Sequence, residues 1–361
     1  LTQREGLLSN VLATQPLFTG GRIRSDIDAA GADVSAAVSN QQTTELDVLL
    51  NVATVYTNVL LAQRVVEVSE RQLQSLAKHA QDVKNRVDQG VGIRNDLLAA
   101  EVAQADAHQK NLQAIAILDV AIAAYNRALQ RPLDMDVTLD DLGEPTEYFD
   151  LESLTQRALA GRPEIAELNA SIRGLRSRAC VVRAGNKPQF ALQGGFESIE
   201  NRFLQNEAYA KVAVVGEWNL FDAGRKRHTA VKLEQNAEAL LRQRNDIETR
   251  IALQVRDAWR QLETTKERVQ VNREAIESAE ENLLVAGNRY NQGVGTNTEV
   301  LDAETLRTAT YTNYYSSVYA AVQYLMELSR AVGDFSLAHM GSGMEASDSP
   351  AESPKLPEEP S

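Results

Sequence analysis

Val87-Asp-Gln-Gly-Val-Gly-Ile-Arg-Asn-Asp-Leu-Leu-Ala-Ala-Glu101 and Tyr290-Asn-Gln-Gly-Val-Gly-Thr-Asn-Thr-Glu-Val-Leu-Asp-Ala-Glu304 are two versions of one stretch of this chain. A second pair, Gln15-Pro-Leu-Phe-Thr-Gly-Gly-Arg22 and Trp218-Asn-Leu-Phe-Asp-Ala-Gly-Arg225, has the same offset of 203 residues. Two motif pairs with equal spacing indicate a tandem duplication of one long unit. We therefore expect two similar structural repeats.

Between the two motifs of each repeat, apolar residues recur every seven positions. The first such row is Val52, Val59, Val66, Leu73, Ala80 and Val87, and its counterpart is Val255, Leu262, Val269, Ile276, Leu283 and Tyr290. A sustained seven-residue period predicts long helices with coiled-coil packing. Beside the second row, mostly small or polar residues at the same spacing would let a neighbouring helix approach closely.

Each long helix is predicted to end at a Gln-Gly-Val-Gly turn, because glycine readily adopts the positive φ of a helix C-cap. A shorter return helix follows, from near Asp96 to Arg131 in the first repeat and from near Thr298 to Gly333 in the second. Each repeat is thus a helical hairpin with unequal arms. Two unequal arms cannot bury all their apolar faces alone, so further helices are needed around them.

Before the second long helix, the apolar period changes from seven to two. Phe190, Leu192, Gly194 and Phe196 form one alternating row, and Ala210, Val212, Val214, Trp218 and Leu220 form the next. Residues 7–17 match the second of these strands by the repeat offset. Alternation over about ten residues is typical of membrane β-barrel strands, and equally of an ordinary half-buried hairpin.

These patterns divide the chain into four parts. Residues 1–133 form an incomplete first repeat of strand, long helix, turn and return helix. Residues 134–184 hold a linker and a helix pair broken at Gly161-Arg162-Pro163. Residues 185–335 form the second repeat, with a strand hairpin at 188–220, a long helix at 221–290 and a return helix at 298–333. Residues 336–361 are an acidic tail rich in Pro and Ser, predicted to be disordered.

Composition argues against several classes of protein. The net charge of -13 and the lack of a concentrated basic face argue against nucleic-acid binding. The four histidines and the single cysteine are scattered without metal-ligand spacing; they are His79, His108, His228, His339 and Cys180. No nucleophile and base converge in the pattern. We therefore expect no metal site, no cofactor and no enzymatic activity.

Four motifs together resemble the outer membrane efflux protein family, the TolC-like exit ducts. Leu-Phe-x-x-Gly-Arg opens each long helix, and the other three motifs are Arg289-Tyr290-x-x-Gly293, Val300-Leu301-Asp302-Ala303-Glu304 and Arg162-Pro163-Glu164-Ile165. The resemblance covers residues 7–333, and the doubled arrangement makes it specific. The family's first strand and opening helices lack counterparts here, so we expect the natural N-terminus to lie upstream of Leu1.

The resemblance implies a mainly α fold in which three identical chains form one channel. Coiled-coil hairpins would make a trimeric α-barrel in the periplasm, and the amphipathic strands would contribute to a shared 12-stranded transmembrane β-barrel. It implies a passive exit duct for efflux or type I secretion, in contact with outer membrane lipid. The implied partners are a periplasmic adaptor and an inner membrane transporter. The alternative is a non-channel periplasmic coiled-coil adaptor or scaffold, whose strands would form a small soluble domain.

Two sets of candidate residues follow from this resemblance. The turns would form the periplasmic tip that meets the adaptor, and the tip residues are Gly90, Val91, Gly92, Gly293, Val294, Gly295 and Thr296. The pore constriction would be formed by Asp302, Glu299, Tyr290 and Asp96, since the first two lie three residues apart on one helical face. Helix capping is the competing explanation for Asp96 and Glu299, and core packing for Tyr290. A locking arginine is missing from the expected position, which Gly295 occupies.

Overall fold

A computed structural model describes residues 8–199 and 208–335 of the chain. Its elements, in chain order, are β1 (Leu8–Phe18), α1 (Arg22–Asp88), α2 (Arg94–Ala128), α3 (Leu151–Gly161), α4 (Pro163–Ala184), β2 (Gln189–Ile199), β3 (Ala208–Glu217), α5 (Arg225–Asn291) and α6 (Asn297–Val332). The predicted tail at 336–361 lies outside the described residues. The helices dominate, as the seven-residue period predicts.

The repeat offset reappears in the helix boundaries. α1 and α5 are each 67 residues long, and both of their ends differ by the same 203 positions that separate the sequence motifs. The return helices α2 and α6 have 35 and 36 residues. α3 and α4 meet at Arg162, where proline at the first position of α4 suits a helix start. The duplicated sequence therefore folds into two nearly identical helical hairpins.

The chain separates into two compact units that do not coincide with the repeats. One unit comprises residues 1–43 and 163–250, and the other comprises residues 44–162 and 251–361. All three described strands belong to the first unit, and both hairpin turns belong to the second. Each unit therefore takes its residues from both repeats.

The strands form an antiparallel sheet in the order β1-β2-β3. Phe196 pairs with Val11 on one side and with Ala210 on the other, so the apolar rows of all three strands share one face. Glu197 pairs with Asn10 and Tyr209, which places polar side chains on the opposite face. The sheet is therefore amphipathic, as the period of two predicts.

The apolar face of this sheet is exposed rather than packed against a core. Phe190, Leu192 and Phe196 are 44%, 39% and 50% exposed, and every residue of β3 is exposed. An ordinary half-buried hairpin would cover one row, because burying apolar side chains drives the folding of soluble proteins. The half-buried alternative is therefore wrong for this sheet.

In the second unit, five of the six predicted heptad positions of α5 are buried, and Leu283 is half-buried. The core includes Val255, Leu262, Val269, Ile276 and Tyr290, together with Ala258, Thr265, Ala279 and Ala286 from the flanking row. The linker before α3 is held against α1 and α6 by polar contacts. Asp141 accepts hydrogen bonds from Arg64 at 2.5 Å and from Tyr319 at 2.8 Å. The coiled-coil prediction for α5 is thus confirmed.

The first hairpin leaves much of its apolar surface uncovered. An open groove of about 460 Å³ lies between α1 and α2, lined by side chains such as Val55, Leu61 and Ile117. Val102 and Val120 on α2 are 70% and 66% exposed. By length and composition, one 18-residue window of α1 would qualify as a membrane span, and only 22% of it is buried. A single chain therefore does not bury all of the apolar surface of its own helices.

Candidate functional site

The two hairpin turns have the same backbone hydrogen bonds. Gly90 N–H donates to Val87 O at 2.9 Å, and Gly293 N–H donates to Tyr290 O at 3.0 Å. The two glycines have φ of +80° and +79°, a region that side-chain-bearing residues rarely adopt. The shared Gln-Gly-Val-Gly sequence therefore encodes one turn, built twice.

The second glycine of each turn is required for a different reason. A Cβ added at Gly92 would lie 2.7 Å from Val87 N, and one at Gly295 would lie 2.9 Å from Tyr290 N. Chain reversal thus explains all four glycines of the two turns. What it leaves unexplained is Val91 and Val294, which are 69% and 68% exposed at the two turns.

A shared apolar cluster underlies the turns and draws on all four hairpin helices. Its buried members are Ala80, Val83, Ala100, Ala286, Tyr290, Val300 and Ala303. Several of these are equivalent between repeats, as Ala100 is to Ala303. The cluster joins the first hairpin to the second directly beneath the turns. Core packing is therefore one role of Tyr290, which is 8% exposed.

Tyr290 also meets an arginine from the other hairpin. The Arg86 guanidinium lies 4.9 Å from the centroid of the Tyr290 ring, and Arg86 Nη1 donates to Tyr290 O at 3.0 Å. Burial raises the pKa of Tyr290, and the Asp96 carboxylate raises it further, while Arg86 lowers it. The phenol is therefore neutral at ordinary pH. Arg86 of α1 thus contacts both the ring and the carbonyl oxygen of Tyr290.

A second polar contact between the hairpins passes through Asn297, which is 4% exposed. His79 Nε2 lies 2.7 Å from Asn297 Oδ1, and Asn297 Nδ2 donates to Asp96 O at 3.2 Å. The His79 ring also stacks edge-on against Tyr290, with 5.3 Å between centroids. We call Arg86, His79, Asp96, Tyr290 and Asn297 the hairpin lock, because every contact joins the first hairpin to the second.

The acidic candidates occupy three different environments. Asp96 is half-buried in the first turn of α2, and its carbonyl serves the hairpin lock. Glu299 is exposed. Its backbone N–H donates to Thr296 Oγ1 at 3.3 Å, and its carboxylate lies 3.9 Å from the Arg289 guanidinium. Asp302 is exposed and has no ion pair or side-chain hydrogen bond within residues 8–199 and 208–335. The side chain that caps α6 is that of Thr296, so the Glu299 carboxylate is not the cap.

The buried carboxylate of Glu304, two residues beyond Asp302 in α6, makes another contact between the hairpins. Glu304, 1% exposed, accepts a hydrogen bond from Ser75 Oγ at 2.9 Å and from Arg307 at 2.7 Å. Arg307 also lies 3.8 Å from Glu280. Burial raises the pKa of Glu304, although Arg307 and Ser75 oppose this shift. Ser75 belongs to α1 and Glu304 to α6, so this pair also connects the two repeats.

Sequence reasoning missed four residues of this region: His79, Arg86, Asn297 and Glu304. One signal was available, because Arg86 and Arg289 are equivalent by the repeat offset. The two arginines nevertheless act differently, since Arg289 contacts its own turn through Val294 O at 3.5 Å. In the part of the chain that is described, no group of three or more metal-ligating side chains occurs.

The chain matches the family described as "Outer membrane efflux protein" over residues 8–129 and 154–334. It is 24% identical over 301 residues to the outer membrane efflux protein BepC of Brucella suis, which covers 80% of this chain and 64% of that protein. It is also 24% identical over 318 residues to the alkaline protease secretion protein AprF of Pseudomonas aeruginosa, with coverages of 83% and 64%. The chain thus spans about two thirds of the length of these relatives.

The fold is similar to that of a solved outer membrane channel. The crystal structure of CusC superposes with a TM-score of 0.81 at 18% identity, covering 91% of this chain and 78% of that one. The match includes most of the described strands and helices. The mainly helical architecture with two repeats and a small amphipathic sheet is therefore the fold of TolC-like channels.

Proposed function

We propose that this chain, which belongs to the outer membrane efflux protein family, is one protomer of a passive exit duct for efflux or type I secretion. Three copies would form the conduit, located in the outer membrane and extending into the periplasm. A periplasmic adaptor and an inner membrane transporter would complete the path and supply the energy. The related proteins BepC and AprF are named for efflux and for protease secretion, respectively, and we propose export of this general kind.

The amphipathic sheet is the observation that carries the proposal. Its apolar row is exposed on one face, while Glu197, Tyr209 and Lys211 contact one another on the other face. Lipid against the first face and water against the second would satisfy both, and a closed barrel would pair the outer edges of β1 and β3. The uncovered apolar surface of α1 and α2 is further support, because neighbouring copies in a ring would cover it.

Within such a trimer, the acidic residues of α6 would constrict the entrance. Each exposed carboxylate becomes a ring of three like charges under three-fold symmetry, which favours cations in a narrow pore. Asp302 is the strongest candidate because it is exposed and unpaired among the described residues. Glu299 would add to this ring, while Tyr290 and Asp96 would keep the hairpins together through the hairpin lock.

The two turns would dock the adaptor through their exposed side chains. Val91 and Val294 are apolar, solvent-exposed and equivalent between repeats. Isolated exposed apolar side chains are common on protein surfaces, but these two stand at the apex of a turn whose glycines are explained by geometry. Thr296 is also exposed, and its side chain caps α6 by accepting from Glu299 N–H.

Planar-bilayer recording of the full-length protein, purified from outer membranes in detergent, tests the proposed function. We expect detergent-dependent trimers and discrete cation-selective conductance steps. A double variant, Phe196→Asn with Val212→Asn, places polar groups on the lipid face and should abolish insertion. The matched control is Gln193→Asn on the polar face, which should insert normally. A protein that stays monomeric and dispersed without detergent, with no conductance, would favour the scaffold alternative.

A further inference from the structure

We propose that the junction between β1 and α1 binds one anionic phospholipid of the membrane in which the sheet is embedded. The proposal rests on the outer membrane location proposed above and adds a specific ligand to it. An open groove of about 370 Å³ lies at this junction. Most of its lining is apolar, and Arg24 is the one cation among the described residues that line it.

The apolar lining of the groove is suited to an acyl chain. Leu17, Ile23 and Ile27 are 58%, 43% and 66% exposed, although all are large hydrophobic side chains. Phe18 completes the wall and is 49% exposed. Burying such surface contributes about 25 cal/mol per Å². Water is therefore a poor occupant of the groove, whereas a hydrocarbon chain would fit it.

Continuity with the sheet identifies lipid as the occupant. Phe18 pairs with Phe190, the first member of the apolar row of β2, and the two rings lie 6.4 Å apart. The ladder is irregular between Pro16 and Phe18, and such bulges redirect side chains. The apolar face of the sheet thus runs directly into the groove, so one hydrocarbon phase would cover both.

Charge at the groove selects an anionic headgroup. Neither Arg22 nor Arg24 forms an ion pair or side-chain hydrogen bond within the described part of the chain, and the first turn of α1 contains no acidic residue. Asp26 and Asp28 lie one helical turn beyond Arg22 and Arg24, respectively, but neither is ion-paired with an arginine among the described residues. Basic residues at a helix N-terminus oppose the helix dipole, and a phosphate beside them would relieve this repulsion.

The second repeat provides an internal comparison. Ile23 and Ile27 correspond by the offset to Lys226 and Ala230, so this part of the apolar wall is not repeated, whereas Leu17, Phe18 and Arg24 recur as Leu220, Phe221 and Arg227. There the side chain of Asp222 caps the helix, accepting from Gly224 N–H and Lys226 N–H, each at 3.1 Å. Thr19 stands at the equivalent place in the first repeat. The first junction therefore differs from the second in its two isoleucines and in having Thr19 where Asp222 caps the second long helix.

The test compares Arg24→Gln with its repeat equivalent Arg227→Gln. Full-length trimers are reconstituted in nanodiscs containing equal amounts of phosphatidylglycerol and phosphatidylcholine, and the retained lipids are counted by native mass spectrometry. We expect Arg24→Gln to reduce the preference for phosphatidylglycerol about fivefold, since a basic residue near an anionic surface contributes about 1 kcal/mol. Arg227→Gln should leave the preference unchanged. Ile27→Asn should reduce retention of both lipids.

Three results would overturn the assignment. Equal losses in both arginine variants would indicate a diffuse basic belt, and displacement of the lipid by millimolar inorganic phosphate would indicate a free-anion site. Trimer dissociation in Ile27→Asn without a change in lipid retention would assign the groove to packing between copies. Conductance is recorded for the same samples in pure phosphatidylcholine bilayers. If conductance is intact while lipid selectivity is absent, only the lipid site fails; no conductance in any lipid contradicts the proposed duct.

Discussion

Arg86 of the first hairpin lies over the ring of Tyr290 in the second, with 4.9 Å between its guanidinium carbon and the ring centroid. The same arginine donates to the carbonyl oxygen of Tyr290 at 3.0 Å. The equivalent residue, Arg289, remains near its own turn. One repeat thus uses its arginine to hold the other, although the duplication would suggest identical roles.

Removing this contact should loosen the closed entrance. Arg86→Ala deletes a cation–π contact and a hydrogen bond, each of which contributes about 1 kcal/mol. We expect the open probability in planar bilayers to rise about thirtyfold. Arg289→Ala is the matched control and should change it much less. Equal behaviour of the two variants would refute the hairpin lock.

Neutralising the acidic residues of α6 should change ion selectivity. Asp302→Asn combined with Glu299→Gln removes two negative rings from the proposed constriction, so reversal potentials in a salt gradient should shift toward weaker cation selectivity. Asp119→Asn removes an exposed carboxylate of α2 and should have little effect. Unchanged selectivity and conductance in the double variant would exclude these residues from the gate.

The exposed valines of the turns should contribute to adaptor binding. Val91→Ser with Val294→Ser removes apolar surface without altering the turn glycines, so thermal stability should be preserved while affinity for the adaptor falls severalfold. Val271→Ser, at 65% exposure on α5, is the matched control. Affinity is measured by biolayer interferometry with the purified adaptor. Equal affinities in all three proteins would argue against docking at the turns.

The glycine at position 295 should be intolerant of a side chain. A Cβ there would lie 2.9 Å from Tyr290 N, so Gly295→Ala should cost about 1–3 kcal/mol in the free energy of unfolding. Gly287→Ala has no atom within 4 Å of its added Cβ and lies within α5, where alanine should stabilise the helix by about 1 kcal/mol. Denaturant unfolding in detergent measures both. If both substitutions changed the free energy of unfolding in the same direction, the result would contradict the turn geometry.

The buried carboxylate of Glu304 should make stability depend on pH. Because burial raises its pKa in the folded state, folding favours the protonated form, and this stabilisation is full below the ordinary glutamate pKa. It is lost as pH rises through the raised value. We therefore expect that acidification raises the melting temperature of the native protein relative to the melting temperature of Glu304→Gln.

The control for this titration is Glu101→Gln, which changes the exposed equivalent residue in the first repeat. The melting temperature of this variant should vary with pH in the same way as that of the native protein, from pH 7 down to the ordinary glutamate range at about pH 4. If the melting temperature of Glu304→Gln also followed that of the native protein with pH, the carboxyl of Glu304 would not be linked to folding.

Much of the local structure was predictable because it depends on short-range patterns. The Gln-Gly-Val-Gly turns fix positive φ at Gly90 and Gly293, and the period of two fixes which face of each strand is apolar. The sequence could not decide whether that face was buried. The exposure of Phe196 answered this, because burial depends on what surrounds the sheet rather than on its alternation.

By itself, then, the sequence determined the duplicated hairpins, the turns and the amphipathic sheet, since glycine conformation and side-chain periodicity act within a few residues. Only the tertiary structure decided which residues join the repeats. Arg86 and Tyr290 are 204 positions apart, and Ser75 and Glu304 are 229 apart. Their pairing depends on how one hairpin is aligned along the other, and a seven-residue period allows several such alignments. Packing of the full core selects one of them.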